Sequence, residues 1–177
     1  SNNIKYFNLE ITLFNNKDDI ESINKAISNA YPSISIEKII DILIKIEIKE
    51  LNKIKVSSFL IGNINQKTLL NLAIENDNDE AINQLIDAGY DFLNDEGFIQ
   101  YGDDRKTIIK KVSSLHLAVK NKSIKAIHAL MNTNYDFLTD TGYIAYAEDG
   151  DTQTLTISNL YIATEKNAVE IIKILNS

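Results

Sequence analysis

An internal repeat of 45 residues constrains the fold of this chain more than any other feature of its sequence. The segment at residues 68–73 returns in the same register at residues 113–118 and again at residues 158–163. Between the first two copies the match extends further, because residues 90–93 and residues 135–138 both read Tyr-Asp-Phe-Leu. A register held over two full units indicates similar structural units that bury apolar surface against one another.

Each unit is predicted to contain two short helices followed by a β-hairpin. Apolar residues recur at helical spacing in residues 70–74 and again in residues 81–86, with a polar break between them. Two β-prone runs, residues 98–101 and 107–112, then flank a turn rich in Gly and Asp, and their equivalents lie 45 residues later. Neighbouring hairpins of this kind are expected to pair edge to edge into a small projecting sheet.

These units resemble the ankyrin repeat family, whose consensus is Thr-Pro-Leu-His-Leu-Ala followed by a second helix ending in Ala-Gly-x-Asp. Residues 68–73 read Thr-Leu-Leu-Asn-Leu-Ala, residues 115–118 keep Leu-His-Leu-Ala, and residues 88–91 read Ala-Gly-Tyr-Asp. The consensus proline is missing, and the period is 45 rather than the usual ~33 residues.

The resemblance implies a mainly α fold: an ankyrin-like α-solenoid with extended β-hairpins between repeats and an N-terminal helical cap. Its repeats would span residues 67–112, 113–157 and 158–177.

Residues 1–66 do not fit the repeat and are interpreted as a capping region, or alternatively as a divergent repeat. The loose alternation from Ile4 to Phe14 predicts a strand or short hairpin. Asp18 or Asp19 is placed to cap a helix that runs to about Ala30, and Ser33 or Ser35 is placed to open a second helix.

Charge and composition narrow the classes of partner. The chain has 25 acidic and 18 basic residues, a net charge of -7, which argues against nucleic acid and favours a basic protein partner. It has no cysteine, which excludes disulfides and thiolate metal sites and suggests a cytoplasmic location. No apolar run reaches the ~18 residues that would cross a membrane.

The sequence shows no combination of residues that suggests catalysis, a cofactor or a metal. The two histidines, His116 and His128, lie near no recognisable nucleophile, and His116 occupies the structural histidine position of the ankyrin consensus. The acidic runs Asp103-Asp104 and Glu148–Asp151 supply only part of a calcium loop, so turn formation is the preferred explanation for them.

We therefore expect a non-catalytic protein-binding module that engages its partner through the hairpins and, as the resemblance to ankyrin proteins implies, through the concave face. Two specific versions remain open: a bacterial immunity protein that neutralises a basic toxin, and a bacterial effector that binds a host protein. A small hydrolase is the least favoured alternative, and the oligomeric state is left undetermined. The residues expected to contact the partner are Tyr101, Asp103, Asp104, Arg105, Tyr146, Glu148, Asp149 and Asp151.

Overall fold

The computed structural model describes residues 2–177 and shows a mixed α/β fold, with nine α-helices and one open antiparallel sheet of six strands. A short 3-10 turn, Leu51–Lys53, precedes the first strand. The helices are α1 (Asn2–Asn15), α2 (Ile20–Ala30), α3 (Ile36–Lys45), α4 (Leu69–Glu75), α5 (Asp79–Asp87), α6 (Ser114–Lys120), α7 (Ile124–Met131), α8 (Asn159–Glu165) and α9 (Val169–Leu175). The strands are β1 (Val56–Leu60), β2 (Asn63–Lys67), β3 (Phe98–Gly102), β4 (Ile108–Val112), β5 (Tyr143–Tyr146) and β6 (Gln153–Ile157).

The 45-residue spacing of the sequence reappears in the helix starts. Thr68, Ser113 and Ser158 each precede a helix, and each side-chain oxygen accepts a hydrogen bond from the backbone N–H three residues later. Such a cap stabilises a helix by about 1 kcal/mol, because it satisfies a donor that has no partner within the helix. These three residues therefore fix where α4, α6 and α8 begin.

The strands lie in the sheet in their order along the chain, and every neighbouring pair is antiparallel. The predicted hairpins β3–β4 and β5–β6 are confirmed, and so is their pairing edge to edge, in which Val112 lies opposite Tyr143. A third hairpin, β1–β2, precedes them and joins β3 with Ile64 opposite Tyr101. All three hairpins therefore belong to one sheet.

This sheet shows that the prediction of a mainly α, ankyrin-like solenoid is wrong. In the predicted fold the hairpins projected from a stack of helices that held the molecule together. In the structure the backbone hydrogen bonds of six strands run without interruption from β1 to β6, so the sheet is itself a continuous structural element. Because the fold is not a solenoid, the concave surface that was expected to bind the partner does not apply to this structure.

The helices share one hydrophobic core that extends from Leu9 to Leu175. Within it, α4 packs against α6 and α6 against α8, while α5 packs against α7. At the N-terminal end α3 lies against α4 and α5, and α1 lies against α2 and α3.

The N-terminal predictions divide into two confirmed caps, one wrong element and one missed element. Asp19 caps α2 and Ser35 caps α3, as the sequence indicated. The segment Ile4 to Phe14 is helical, not a strand or hairpin. The hairpin β1–β2 has no counterpart among the predictions. Ser1 lies outside the described residues.

The helix α2 covers the outer edge of β1. The backbone N–H of Lys55 donates to the side-chain oxygen of Asn24 at 3.0 Å, and that of Ser57 donates to Ser28 Oγ at 2.8 Å. The free backbone groups of an edge strand can pair with a strand of another chain. By bonding to these groups, the two side chains of α2 protect the first edge of the sheet.

Candidate functional site

The turns of the three hairpins lie side by side at one end of the sheet. Each turn follows an odd-numbered strand, and in an antiparallel sheet ordered as the chain these connections fall at the same end. Adjacent strands are ~4.8 Å apart, so the first and third turns are separated by about 20 Å. We call this surface the hairpin ridge and define it as residues 59–62, 103–106 and 148–151.

The second and third turns are built in the same way around an aspartate. Asp104 Oδ1 accepts hydrogen bonds from the backbone N–H groups of Lys106 at 2.9 Å and Thr107 at 2.8 Å. Asp149 accepts the equivalent bonds from Asp151 and Thr152, both at 2.8 Å. The Thr107 hydroxyl also donates to Asp104, and the hydrogen bonds from Thr107 and Lys106 lower the pKa of Asp104 to about 2.

These two aspartates therefore shape the turns. Both were predicted to contact the partner, and their hydrogen bonds show a structural role that the sequence interpretation of these loops as turn-formers had anticipated. Their neighbours Asp103, Glu148 and Asp151 are exposed. Within the described part of the chain, none of these three carboxylates forms an ion pair.

Contacts between neighbouring turns make the ridge continuous. The guanidinium of Arg105 lies 5.6 Å from the centre of the Phe59 ring, which joins the second turn to the first. A Cβ built on Gly150 would lie 2.9 Å from Thr107 Cγ2, so the third turn packs closely on the second. Arg105 and Gly150 occupy equivalent positions, and both have a positive φ, 62° and 76°.

The first turn is apolar and exposed, which the sequence interpretation missed. Phe59 is 66% exposed, Leu60 is 54% exposed, and Ile61 is fully exposed at the tip of the hairpin. A cluster of large apolar side chains in contact with water is unusual and often marks an interaction surface. The available sequence signal was Gly62 between two β-prone runs, which is typical of a two-residue hairpin turn.

Tyr101 and Tyr146 lie on the same face of the sheet, next to the ridge. Gln100, Lys110 and Ala145 are paired across β3, β4 and β5, so the residues that follow Gln100 and Ala145 both point to the opposite face. Both tyrosines are half-buried. Burial and the nearby Glu96 carboxylate raise the pKa of Tyr101. These tyrosines therefore offer only part of their surface to a partner.

Two partly buried tyrosine–aspartate pairs link the loops at the opposite end of the sheet to the neighbouring helices. Tyr90 donates its hydroxyl proton to Asp95, and Asp95 also accepts from the Ser114 hydroxyl and, at 3.0 Å, from the Gly97 N–H. Tyr90 and Asp95 thereby link α5, β3 and α6.

The second pair repeats this arrangement 45 residues later. Tyr135 donates to Asp140, which also accepts from Gly142 N–H at 3.0 Å, Ser113 Oγ at 2.6 Å and Asn159 Nδ2 at 2.6 Å. The two aspartates orient the units that carry the hairpins, and both were absent from the predicted sites.

The histidine His116 is enclosed between these units. Its side chain is 3% exposed, and its Nδ1 lies 3.2 Å from Asn159 Oδ1. Burial lowers its pKa, so the ring is held in the neutral form. His116 was predicted to be structural because it occupies the structural histidine position of the ankyrin consensus, and here its side-chain partner is an asparagine. His128 is exposed on α7.

The last two observations concern metal binding and membrane crossing. Among residues 2–177, no group of three or more His, Asp or Glu side chains is arranged to bind a metal ion. Over the same residues, no helix is both long enough and apolar enough to pass through a bilayer.

Comparison with known proteins identifies no relative: no protein-family model, no curated protein and no solved structure matches this chain. The resemblance to the ankyrin family therefore has no support from any relative, in addition to the contrary evidence of the sheet. The class that the fold defines is a mixed α/β protein with an open antiparallel sheet.

Proposed function

We propose that this chain is a non-catalytic protein-binding module whose docking surface is the hairpin ridge. One observation carries the proposal: three turns form a continuous surface that is apolar at Phe59–Ile61 and acidic at Glu148–Asp151. Exposed apolar side chains gain most from burial against a partner, and unpaired carboxylates about 20 Å away on the same ridge select a complementary charge.

The rigidity of the ridge favours affinity. Its second and third turns are closed by hydrogen bonds to Asp104 and Asp149, and each of the three turns is anchored to two strands of the same sheet. Little conformational freedom is therefore lost when a partner binds, whereas a flexible loop would lose its freedom at that moment.

The partner that fits this surface is a protein with an apolar depression and a basic patch about 20 Å apart. Ile61 would fill the depression, and Glu148 and Asp151 would face the basic side chains. The acidic end of the ridge favours the immunity-protein version of this function, in which the chain covers a basic toxin. The effector version remains a prediction, because no feature of the ridge favours it specifically.

The test compares capture of partners from a lysate of the native cells by four forms of the purified protein. They are wild type, the double variant Phe59→Ala/Ile61→Ala, the double variant Glu148→Gln/Asp151→Asn, and the control Leu138→Ala. Leu138 is 76% exposed but lies in the loop before β5, at the other end of the sheet.

We expect wild type and the control to retain the same basic protein. The apolar variant should bind it at least ~30-fold more weakly, because truncating an anchor side chain costs about 2 kcal/mol or more. Equal retention by all four forms would show that the interface is not on the ridge.

A further inference from the structure

The helix α1 is apolar on two opposite faces, and only one of them is covered. Leu9 and Leu13 face the core and are 7% and 0% exposed. On the opposite face, four large apolar side chains are in contact with solvent: Ile4 at 60%, Phe7 at 61%, Ile11 at 42% and Phe14 at 58% exposure. We call these four residues the α1 stripe. A helix that is apolar on both faces is normally buried on both.

The spacing of the α1 stripe is that of a helix–helix seam. Its residues are separated by three, four and three positions, which corresponds to alternating a and d positions of a heptad. Side chains at these positions form one row along a helix, and this row is about 15 Å long. The row matches the contact surface of a second helix of similar length.

We propose that two copies of this chain associate through their α1 stripes to form a symmetric dimer. A two-fold interface places the same patch on both sides, so an apolar row can pair with itself. Beside the stripe α1 carries the uncharged Asn3, Asn8 and Asn15 together with Glu10, and Lys17 Nζ lies 5.3 Å from the centre of the Phe14 ring.

The α1 stripe carries less charge than the rest of the surface, which favours a second copy as the occupant. A net charge of -7 makes two copies repel each other over most of their surface, whereas the stripe itself is uncharged and is flanked by Lys17 and by the Glu10–Lys45 pair. Glu10, the only carboxylate of α1, is paired with Lys45 at 2.9 Å. A lipid surface fits less well, because helices that lie on membranes carry many basic residues and α1 carries only Lys5.

The exposed area is of the size that a weak dimer needs. A side chain of this kind presents roughly 150–250 Å² when fully exposed. At the exposures observed, the stripe offers about 400 Å² per copy, or about 800 Å² for the pair. The polar margins bring the total to about 1,000 Å², near the lower limit for specific interfaces. We therefore expect dissociation in the micromolar range.

Sedimentation velocity over a concentration series tests the dimer with wild type, Phe7→Asp and the control Leu138→Asp. Both substitutions place a charge at an exposed apolar position, so neither disturbs the core. Wild type and the control should dimerise alike. Phe7→Asp should raise the dissociation constant roughly 1,000-fold, because each dimer loses two buried phenyl rings. At concentrations low enough for both proteins to be monomeric, circular dichroism should show the same fold and thermal midpoint for Phe7→Asp as for wild type.

A second measurement identifies the surface directly. The chain has no cysteine, so Ile11→Cys introduces a single reactive thiol. A short bismaleimide should convert Ile11→Cys into a covalent dimer and leave Leu138→Cys monomeric. A monomeric wild type at 100 µM, or a dimer that Phe7→Asp does not weaken, would overturn the proposal. So would a monomer whose α1 binds phosphatidylcholine vesicles in a Phe7-dependent way. The ridge plays no part in either measurement.

Discussion

At the scale of single residues, the two tyrosine–aspartate pairs link the stability of the fold to pH. Burial, together with Asp95, raises the pKa of Tyr90 well above its usual value, and burial also raises the pKa of Tyr135. The folded state therefore holds these phenol protons more tightly than the unfolded state does. Their contribution to stability is complete below pH 10 and is lost as the pH rises further.

The variant Tyr90→Phe tests this link. At pH 7 it should lower the free energy of unfolding by about 1–2 kcal/mol, because Asp95 loses a hydrogen-bond donor. Between pH 9.5 and 11 its stability should fall less steeply than that of wild type. Urea unfolding at several pH values measures both effects. Tyr161→Phe is the control, since Tyr161 is 60% exposed. An equally steep decline in Tyr90→Phe would contradict the assignment.

The aspartate of the second turn should titrate at unusually low pH. Hydrogen bonds from Thr107 and Lys106 lower the pKa of Asp104 to about 2, below its value in an unfolded chain. The bonds therefore stabilise the turn above about pH 4 and are lost as the pH falls towards 2. Following the amide signal of Thr107 by NMR during acid titration should give a midpoint near 2, and a midpoint near 3.8 would show that the turn is not closed by this carboxylate.

At the scale of the elements, two glycines mark where the loops approach the strand ends most closely. A Cβ on Gly97 would lie 2.5 Å from the carbonyl oxygen of Val112, and one on Gly142 would lie 2.4 Å from that of Ile157. Both residues also have a positive φ, which glycine adopts readily. The close approach is therefore the same in both units.

Substituting alanine at Gly97 should destabilise the protein by more than ~3 kcal/mol, because the backbone of β4 has to move. Gly89→Ala is the matched control: Gly89 also has a positive φ, but nothing lies within 4 Å of its added Cβ. It should cost only about 1 kcal/mol, the price of the backbone conformation alone. Chemical unfolding of the two variants gives the difference. Equal losses would mean that the close approach of the strands does not matter.

The elements that the sequence could predict are those whose signals are local. Caps such as Asp19 and Thr68 and the turns at Asp104 and Asp149 depend on one side chain and the backbone beside it. The helix α1 was misinterpreted as a strand because it is apolar on two faces, and the combined rows from Ile4 to Phe14 imitate the alternation of a strand.

The first hairpin was missed because the repeat was followed only from residue 67 onwards. The strands β2, β4 and β6 begin at residues 63, 108 and 153, so the same period continues backwards by one strand. Because this hairpin was not predicted, the apolar tip of the ridge was not predicted either. The acidic turns were found because Gly and Asp are conspicuous, whereas the exposure of Ile61 depends on the whole sheet.

At the scale of the whole molecule, the sequence interpretation was wrong about how the repeat units connect to one another. A period shows that units are alike, but it does not show whether helices or strands carry the continuous contact between them. Here the strands form a single sheet whose first edge is covered by α2, and the sheet aligns three turns that are about 45 residues apart in the chain.

Binding through the ridge should depend on salt in a way that its charges predict. Exposed carboxylates act over about 10 Å at 0.1 M salt, so affinity for a basic partner should fall as salt is raised to 0.5 M. The variant Glu148→Gln/Asp151→Asn should show a weaker salt dependence, because it removes two exposed charges while Asp149 keeps the turn closed. Titration calorimetry at several salt concentrations measures the slopes. Equal slopes for both proteins would exclude the acidic turn from the interface.

The central claim, that the hairpin ridge is the docking surface, is tested most directly by photocrosslinking in the native cells. A photoreactive phenylalanine analogue is placed at Ile61 in one form of the protein, at Glu148 in a second and at Leu138 in a third, and all three positions are exposed. We predict that the forms labelled at Ile61 and Glu148 crosslink to the same protein and that the form labelled at Leu138 does not. A partner captured at Leu138 but at neither ridge position would contradict the claim.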